Sequence, residues 1–257
     1  MLLAVDVGNT QTHLGVFDSE RLAHEWRAAT DPRRSADELA LMYGEFLRLV
    51  DMTFEQDVTG LAVCSVVPRA TQELRELARR YLGFDALVVE PGVKTGVAIK
   101  TDNPREIGAD RIADVVGARE IFPDGPVIVV DFGTAIKVEA ITAQGEFLGG
   151  AIAPGIDTAA TALFSATAQL RRVELVAPPR AIGRSTVTAL QSGIVLGTAA
   201  LVDGLIERVS DELGGRPKVV ATGGLAPVVA DHCRRIDVVE PILTLMGLRL
   251  IFERNTT

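Results

Sequence analysis

The chain has 257 residues, of which 47% are apolar and 23% are charged, so it can bury one large core or two smaller ones. The net charge of −8 disfavours nucleic acids and anionic membranes, which require clustered basic residues, and we expect no partner of either class. Two cysteines give neither a disulfide framework nor zinc-ligand spacing, and we find no basic leader or apolar stretch of membrane length; a cytoplasmic protein is therefore expected.

The first half of the chain opens with an apolar run ending at Asp6, which predicts a buried strand with a carboxylate at its closing turn. Ser35 and Glu38 form a capping box before a helix, and Cys64 is expected to be a small core residue. Strands then alternate with amphipathic helices, as is typical of α/β domains. In chain order, we predict strands ending at Asp6 and covering 12–16 and 22–28, a helix at 36–50, a strand at 60–67, a helix ending near Gly83, a strand at 86–89, and a helix from about Asp110 to Ile121.

The second half repeats the start of the first, since an apolar run again ends in an acid, Asp131, followed by Gly133. A strand, a hairpin and another strand follow, as they do after Asp6. The repeat predicts two α/β domains, at 1–117 and 118–257. The elements predicted here are strands at 126–131, 135–141 and 147–153, a glycine-bearing loop at 149–155, a helix at 158–169, a loop at 171–184, a long helix capped by Ser185 or Thr186, a strand at 218–221, a turn at 222–227 that opens a helix, and a helix at 243–252.

Three glycine-containing turns follow predicted strands, at Gly8, Gly133 and Gly223. Each can leave backbone N–H groups for a phosphate or a ribose, although most such turns are only structural. A carboxylate at a turn repels bare phosphate, so Asp6 and Asp131 imply an intervening cation, either Mg2+ or a monovalent ion. Asp110 is a third acid that can act as a base, and together with these turns and carboxylates it indicates phosphoryl transfer from a nucleotide. The chain contains no Walker A sequence.

Asp110 and Arg111 stand side by side at a predicted helix start, next to Gly108 and Ala109, which leave room for a ligand. The carboxylate can take a proton from a hydroxyl group, and the guanidinium can bind a carboxylate. The alternative is a surface ion pair whose acid is favourably placed at a helix N-terminus. The residues alone leave both interpretations open.

In order, the chain carries Asp6-Val7-Gly8-Asn9-Thr10, Asp102-Asn103-Pro104 with Gly108-Ala109-Asp110-Arg111, Asp131-Phe132-Gly133-Thr134, Gly149-Gly150 with Pro154-Gly155, and Thr222-Gly223-Gly224. These ordered motifs resemble those of type III pantothenate kinases from end to end. The resemblance implies an α/β fold of duplicated ribonuclease H-like lobes, as in the actin, Hsp70, acetate kinase and sugar kinase superfamily, with a cleft between them. It also implies a transferase that uses ATP and Mg2+ to phosphorylate pantothenate, the first step of coenzyme A biosynthesis. A homodimer that needs K+ or NH4+ belongs to the same expectation.

Carried over by position, the resemblance assigns a catalytic base, two cation sites and two binding groups. Asp110 is the base, Asp131 holds the monovalent cation, and Asp6 lies near magnesium and the phosphates. The ATP-binding group comprises Asp6, Val7, Gly8, Asn9, Thr10, Gln11, Thr12, His13 and Thr134. The pantothenate-binding group comprises Thr101, Gly108, Ala109, Asp110, Arg111 and, from the second subunit, Thr186.

The chain departs from the family pattern at two places. Thr101 stands where an aromatic residue usually precedes Asp-Asn-Pro, which changes one wall of the expected pantothenate pocket. After Ala135, the run Ile136-Lys137-Val138-Glu139 stands where the family usually has two threonines and an aspartate. We hypothesise that the Lys137 ammonium replaces the monovalent cation as a tethered charge. The alternative is that Lys137 points into water.

Three functions are open at this point. The first is an active pantothenate kinase. The second is a nucleotide-binding accessory or regulatory protein of the same fold that has lost turnover, which Thr101 and Lys137 would favour. The third is a kinase of the same superfamily that acts on another small hydroxyl substrate.

Overall fold

The structure is a computed structural model that describes residues 1–166 and 171–256. Its strands, in chain order, are β1 (Leu2–Val7), β2 (Gln11–Asp18), β3 (Arg21–Ala29), β4 (Gly60–Ser65), β5 (Leu87–Val88), β6 (Ala98–Ile99), β7 (Val127–Phe132), β8 (Ala135–Ile141), β9 (Glu146–Pro154), β10 (Lys218–Thr222) and β11 (Val238–Val239). Its α-helices are α1 (Ala36–Arg48), α2 (Phe54–Asp57), α3 (Pro68–Leu77), α4 (Ala109–Ile121), α5 (Ile156–Ala166), α6 (Thr186–Gln191), α7 (Gly197–Leu213), α8 (Ala226–Val229) and α9 (Leu243–Thr256). A π-helical segment, Ser192–Leu196, joins α6 to α7.

The chain packs into two compact units, each assembled from separate segments. Unit 1 comprises Met1–Gly96, Asn103–Gly117 and Leu243–Thr257, and unit 2 comprises Val97–Asp102 and Ala118–Ile242. The units differ in two places from the predicted domains at 1–117 and 118–257. A short segment that includes β6 belongs with unit 2, and the C-terminal helix α9 returns to unit 1.

Unit 1 is built on a five-stranded sheet of order β3-β2-β1-β4-β5. Strands β1, β2 and β3 form an antiparallel meander, whereas β4 and β5 continue the sheet in parallel with β1. In β1, Asp6 faces His13 across the antiparallel pair and Cys64 across the parallel pair. The central strand therefore has His13 and Cys64 as the register partners of Asp6 on its two sides.

Unit 2 repeats this order in a six-stranded sheet, β11-β10-β7-β8-β9-β6. Strands β7, β8 and β9 are antiparallel, β10 and β11 continue in parallel with β7, and β6 adds an edge strand next to β9. In β7, Asp131 takes the position that Asp6 has in β1, with Lys137 and Thr222 across its two neighbouring strands. The predicted duplication is confirmed strand by strand.

Different helices cover the two faces of the unit 1 sheet. Helices α1 and α3 pack on the face that carries Leu3 and Val5. Helix α9 packs on β1, β2 and β4, where a side chain at Gly60 would collide with Phe252. A side chain at Gly247 of α9 would collide with the backbone of Ala113 in α4, so these two helices meet at backbone distance.

The unit 2 core lies under α5 and the long helix formed by α6, the π-helical segment and α7. This helix, Thr186–Leu213, is 28 residues long and contains an 18-residue window of mean hydropathy 1.6, enough by length and composition to cross a membrane. The expectation that no apolar stretch has membrane length is wrong for this helix. A core helix of a globular protein passes the same test, and Val195, Val202 and Ile206 are indeed buried in the unit 2 core. Leu201 is 41% exposed, so the helix also has an apolar side outside this core.

Most predicted elements are confirmed with shifted ends, and the capping box of Ser35 and Glu38 is present at the start of α1. The predicted loop at 149–155 is wrong, because β9 continues to Pro154. The part of the predicted helix at 167–169 lies outside the described residues. Three short elements, α2, β6 and β11, were missed because segments of two to four residues carry no readable periodicity.

Replacing Gly247 by alanine should destabilise unit 1, because the new methyl group would collide with the Ala113 carbonyl group. We expect a loss of about 1–3 kcal/mol, the usual cost of overpacking, visible as a lower midpoint in thermal unfolding followed by circular dichroism. Gly44→Ala in α1 is the matched control, since its methyl group would make an ordinary 3.5 Å contact with Phe54 and alanine favours helices. Equal midpoints for the two variants would contradict the close packing of α4 and α9.

Candidate functional site

The Asp6 carboxylate in β1 is half-buried and is held by a neighbouring thiol. Cys64 is fully buried and donates a hydrogen bond to Asp6 Oδ1, with Sγ at 3.1 Å. Burial raises the pKa of the Cys64 thiol well above its usual range, and the charges of Asp6, Asp110 and Asp114 raise it further. Cys64 is therefore a neutral donor that orients Asp6, a role that the prediction of a small core residue missed.

His13 faces Asp6 across the sheet but makes its hydrogen bond elsewhere, with Nε2 at 2.6 Å from Glu25 Oε2. Burial lowers the pKa of His13 most and nearby Arg27 lowers it further, although Glu25 raises it. The ring is therefore neutral at pH 7 and donates its Nε2–H to Glu25. The contact between His13 and Glu25 is a hydrogen bond and not an ion pair.

The turn between β1 and β2 divides the predicted ATP-binding residues into two sets. Val7, Thr12 and His13 are buried, whereas Asn9, Thr10 and Gln11 are exposed. The Gly8 N–H donates to the Gln11 carbonyl at 3.0 Å and closes the turn. The Gly8 N–H is therefore used within the turn, and binding of a phosphate by the other N–H groups of this turn stays a prediction.

Helix α4 begins at Ala109 and carries Asp110 and Arg111 in its first turn, as predicted. The backbone N–H of Arg111 donates to Asp110 Oδ1 at 2.9 Å. A side chain at Gly108 would collide with the Asp110 carboxylate, so this glycine makes room for the acid, where the sequence suggested room for a ligand. The positive end of the helix dipole stabilises a carboxylate in this position.

Asp114, one turn further along α4, is an acid that sequence reasoning missed. It is 2% exposed and accepts a hydrogen bond from the Thr244 hydroxyl at 2.6 Å. Residues four apart share a helix face, and both Asp110 and Asp114 lie close enough to Cys64 to raise the pKa of its thiol. The spacing of the two acids was visible in the sequence, whereas the approach of Thr244 from the C-terminal helix was not.

In unit 2, Asp131 and Lys137 form an ion pair between neighbouring strands. Nζ lies 2.8 Å from Oδ2, and each side chain is 15% exposed. Residues directly opposite in an antiparallel pair share one face of the sheet, which brings the two charges together. The alternative in which Lys137 points into water is therefore wrong.

Glu139 lies on the same face of β8 as Lys137 and is 1% exposed. Its register partner on β9 is Gly150, where a side chain would collide with the Val138 carbonyl group. The glycine therefore allows β8 and β9 to close tightly beside the buried carboxylate.

Two glycines enclose the Asp131 carboxylate. A Cβ at Gly133 would lie 3.5 Å from both of its oxygens, and one at Gly223 would lie 2.5 Å from Oδ1. Gly223 also has a φ of +96°, which disfavours any side chain. The Gly133 N–H donates to the Ala135 carbonyl at 3.2 Å, so this N–H too is used within its own turn.

Thr134, the next residue of this turn, is tied to the start of α5. Its carbonyl accepts hydrogen bonds from the Gly155 N–H at 3.1 Å and from the Thr158 hydroxyl at 2.8 Å. A side chain at Gly155 would collide with the carbonyls of Gly133 and Thr134. The turn beside Asp131 is therefore fixed by backbone packing.

The two remaining predicted substrate residues lie in separate parts of unit 2. Thr101 is half-buried, and its Oγ1 is buried with no hydrogen-bond partner among the described residues. Thr186 begins α6 and lines an apolar cavity of about 1030 Å³, together with Ile136, Leu163 and Leu201. Because Ile136 and Lys137 are consecutive in β8, the cavity lies on the opposite face of the sheet from the ion pair.

In the part of the chain that the structure describes, no group of three or more His, Cys, Asp or Glu side chains is arranged to hold a metal ion. Mg2+ in nucleotide sites typically uses one or two carboxylates with phosphate oxygens and waters. Asp6, oriented by Cys64, fits an ion of that kind.

Solved structures support the predicted fold class. A Campylobacter jejuni protein described as a Baf family transcriptional activator matches with a TM-score of 0.60 and 21% identity, over 98% of both chains. A polyphosphate/ATP-glucomannokinase from Arthrobacter sp. strain KM matches with a TM-score of 0.53 and 14% identity, again over 98% of both. At these identities the likeness concerns the fold alone. The fold is the duplicated ribonuclease H-like arrangement of the actin and sugar kinase superfamily, which confirms the predicted class.

Sequence comparison narrows this class to one family. The family model for type III pantothenate kinase matches residues 2–208. The type III pantothenate kinase of Acidothermus cellulolyticus is 51% identical over 256 residues, 99% of each chain. The chain therefore belongs to the type III pantothenate kinase family, and the resemblance drawn from its motifs is confirmed. Membership implies a transferase that uses ATP and a divalent metal ion.

Both cysteine thiols should react slowly in the folded protein. Burial raises the pKa of Cys233 to about 12 and that of Cys64 well above its usual range, so the reactive thiolate is scarce at pH 8. Ellman's reagent should label both thiols rapidly in guanidinium chloride and neither rapidly in buffer. Peptide mass spectrometry assigns each label, and rapid labelling of Cys64 in the native protein would contradict its place beside Asp6.

Proposed function

We propose that this chain is an active kinase that transfers the γ-phosphoryl group of ATP to the hydroxyl group of pantothenate. The product is 4'-phosphopantothenate, so the reaction is the first step of coenzyme A biosynthesis in the cytoplasm. One observation carries the proposal: an acid, Asp110, is fixed at the start of α4 in a chain that is 51% identical to a pantothenate kinase.

Asp110 acts as the general base in this proposal. Its carboxylate takes the proton of the pantothenate hydroxyl while the hydroxyl oxygen forms a bond to the γ-phosphorus. The bond between that phosphorus and the bridging oxygen breaks, and ADP leaves with the electron pair. The contact with the Arg111 N–H holds the base in place throughout.

The nucleotide phosphates are assigned to the turn between β1 and β2 and to Thr134. The exposed residues Asn9, Thr10 and Gln11 supply polar side chains, and the buried residues Val7, Thr12 and His13 support the turn from within unit 1. Asp6 would hold Mg2+, which when bound neutralises phosphate charge. The Cys64 hydrogen bond sets the orientation of Asp6 for this task.

Pantothenate is assigned to the residues at the start of α4, to Thr101 and, from a second subunit, to Thr186. The Arg111 guanidinium is suited to the substrate carboxylate because it can donate two parallel hydrogen bonds. Gly108 and Ala109 add no bulk beside it, and Thr101 supplies a small polar wall in place of an aromatic ring. Thr186 is assigned to the pantothenate of a second subunit.

The family resemblance further implies K+ or NH4+ at Asp131. A free ion does not fit at Oδ2, because the Lys137 ammonium lies 2.8 Å from that oxygen and two cations in contact repel each other. No step of the proposed mechanism therefore uses a free monovalent ion.

We assign the homodimer interface to the exposed side of the long helix in unit 2. The cavity beside Thr186 is largely apolar, Leu201 at its edge is 41% exposed, and Ile182 nearby is 83% exposed. Gly193 and Gly197 have open space where side chains would stand, so a helix of a second copy can approach closely. Association through this face would shelter the apolar surface without a membrane.

ADP release should require both pantothenate and Asp110. Asp110→Asn should lower kcat at least about 100-fold, the contribution typical of a general base, in a coupled assay of ADP formation. Asp18→Asn changes an exposed acid in unit 1 and should leave the rate unchanged.

The same assay separates the three functions left open by the sequence. Tight ATP binding without turnover would favour the regulatory protein, and turnover only with another hydroxyl acceptor would favour a different kinase. Equal rates for the wild type and Asp110→Asn would remove the assigned base.

The protein should have a mass of about 55 kDa by light scattering, twice the 27.4 kDa of one chain. Leu201→Glu should shift it to the monomer, because a charge would be buried at the proposed interface. Leu49→Glu is the matched control: Leu49 is 75% exposed at the end of α1 in unit 1, and this variant should stay dimeric. A monomeric wild type, or a dimeric Leu201→Glu, would contradict the assigned interface.

A further inference from the structure

The Asp131–Lys137 pair differs from an ordinary surface ion pair. Its two side chains are each 15% exposed at 2.8 Å, whereas the lysine pairs Lys100–Glu146 and Lys218–Asp237 span 3.6 and 3.5 Å with both partners at least 36% exposed. Exposed pairs contribute little because water screens them, but a nearly buried charge must be compensated. The nearly buried carboxylate of Asp131 therefore needs the positive charge of Lys137 beside it.

The surroundings of the pair are shaped by glycines. Gly133 and Gly223 carry no side chains that could cover the Asp131 carboxylate, and a Cβ at Gly223 would lie 2.5 Å from Oδ1. Tight turns of this kind at strand ends are where phosphates approach a backbone. The glycines therefore leave the ion pair accessible from the turn.

A bare carboxylate at such a turn would repel a phosphate. The ammonium of Lys137 removes that charge, and its three N–H donors allow it to contact a carboxylate and a phosphate oxygen at once. A dissociable ion could provide the same charge, but it would have to share Oδ2 with the ammonium. The positive charge at this turn is therefore carried by the side chain of Lys137 and not by a dissociable ion.

We propose that the Lys137 ammonium is a built-in cation that binds the nucleotide phosphates beside Asp131 and makes the enzyme independent of K+ and NH4+. This inference rests on the proposed kinase function. Lys137 is a binding residue in this scheme, because its Nζ touches the substrate nucleotide, and Asp131 positions it.

The first test compares salts on the wild-type protein and needs no variant. ADP release with pantothenate is measured at saturating ATP and Mg2+ in potassium chloride, ammonium chloride and N-methylglucamine chloride of equal ionic strength. We expect rates that agree within about twofold, since no dissociable ion is involved. A wild-type rate at least tenfold higher with K+ or NH4+ would overturn the proposal.

The second test removes the charge. In N-methylglucamine chloride, Lys137→Met should lower kcat/KM for ATP at least about tenfold, through a higher KM, a lower kcat or both. This is the loss expected when one preorganised charge at a phosphate is removed. K+ or NH4+ should restore part of the loss, because the vacated carboxylate can then bind the free ion. Lys218→Met, the matched control in β10, should behave as wild type in all salts. A Lys137→Met enzyme as active as the control in N-methylglucamine would overturn the proposal.

A binding measurement keeps the proposal testable even if turnover is absent. Calorimetry with a non-hydrolysable ATP analogue should show weaker binding to Lys137→Met and recovery with K+, with no salt effect on the wild type. If the wild type binds the analogue but does not phosphorylate pantothenate with ATP in any salt, the kinase proposal fails. The calorimetric comparison of wild type and Lys137→Met still decides the role of Lys137. If circular dichroism shows that Lys137→Met is unfolded, Lys137→Arg replaces it in both assays. Lys137→Arg keeps the charge, so its activity and its binding of the analogue should remain independent of K+.

Discussion

A carboxylate near the end of the central strand in a covered sheet requires a partner, because a buried charge without one is costly. This constraint arises twice in the chain, at Asp6 in β1 and at Asp131 in β7. In each unit the neighbouring strands supply the partner: Cys64 from the parallel strand β4 in one, and Lys137 from the antiparallel strand β8 in the other. The turns, the glycines and the covering helices are arranged around these two acids.

Much of this arrangement could be predicted from the sequence because its signals are local. The repeated run of apolar residues ending in an acid indicated the duplication, and the capping box at Ser35 indicated the start of α1. Asp110 and Arg111 could likewise be placed at a helix start from Pro104 before them and from the apolar residues at helical spacing after them. In each case a few adjacent residues determine the local geometry.

The features that escaped prediction depend on residues far apart in the chain. Cys64 looked like a core residue because its hydrogen bond to Asp6 depends on the register of β1 with β4. Asp114 could be identified in the sequence, but its partner Thr244 could not, because Thr244 lies on the C-terminal helix α9, which belongs to unit 1. Nor did the sequence show that the Gly8 N–H closes the turn between β1 and β2 by donating to the Gln11 carbonyl. Such pairings follow from tertiary packing, which no short stretch encodes.

The two units differ in the group that contacts the carboxylate at equivalent positions, which is a neutral thiol at Asp6 and an ammonium at Asp131. A neutral thiol donates a hydrogen bond to Asp6, the carboxylate to which the proposed function assigns a divalent cation. An ammonium at 2.8 Å compensates Asp131, so that carboxylate no longer attracts a cation strongly and no longer repels a phosphate. Under the proposals above, Asp6 would act through a bound ion, whereas Asp131 would act through the ammonium of Lys137.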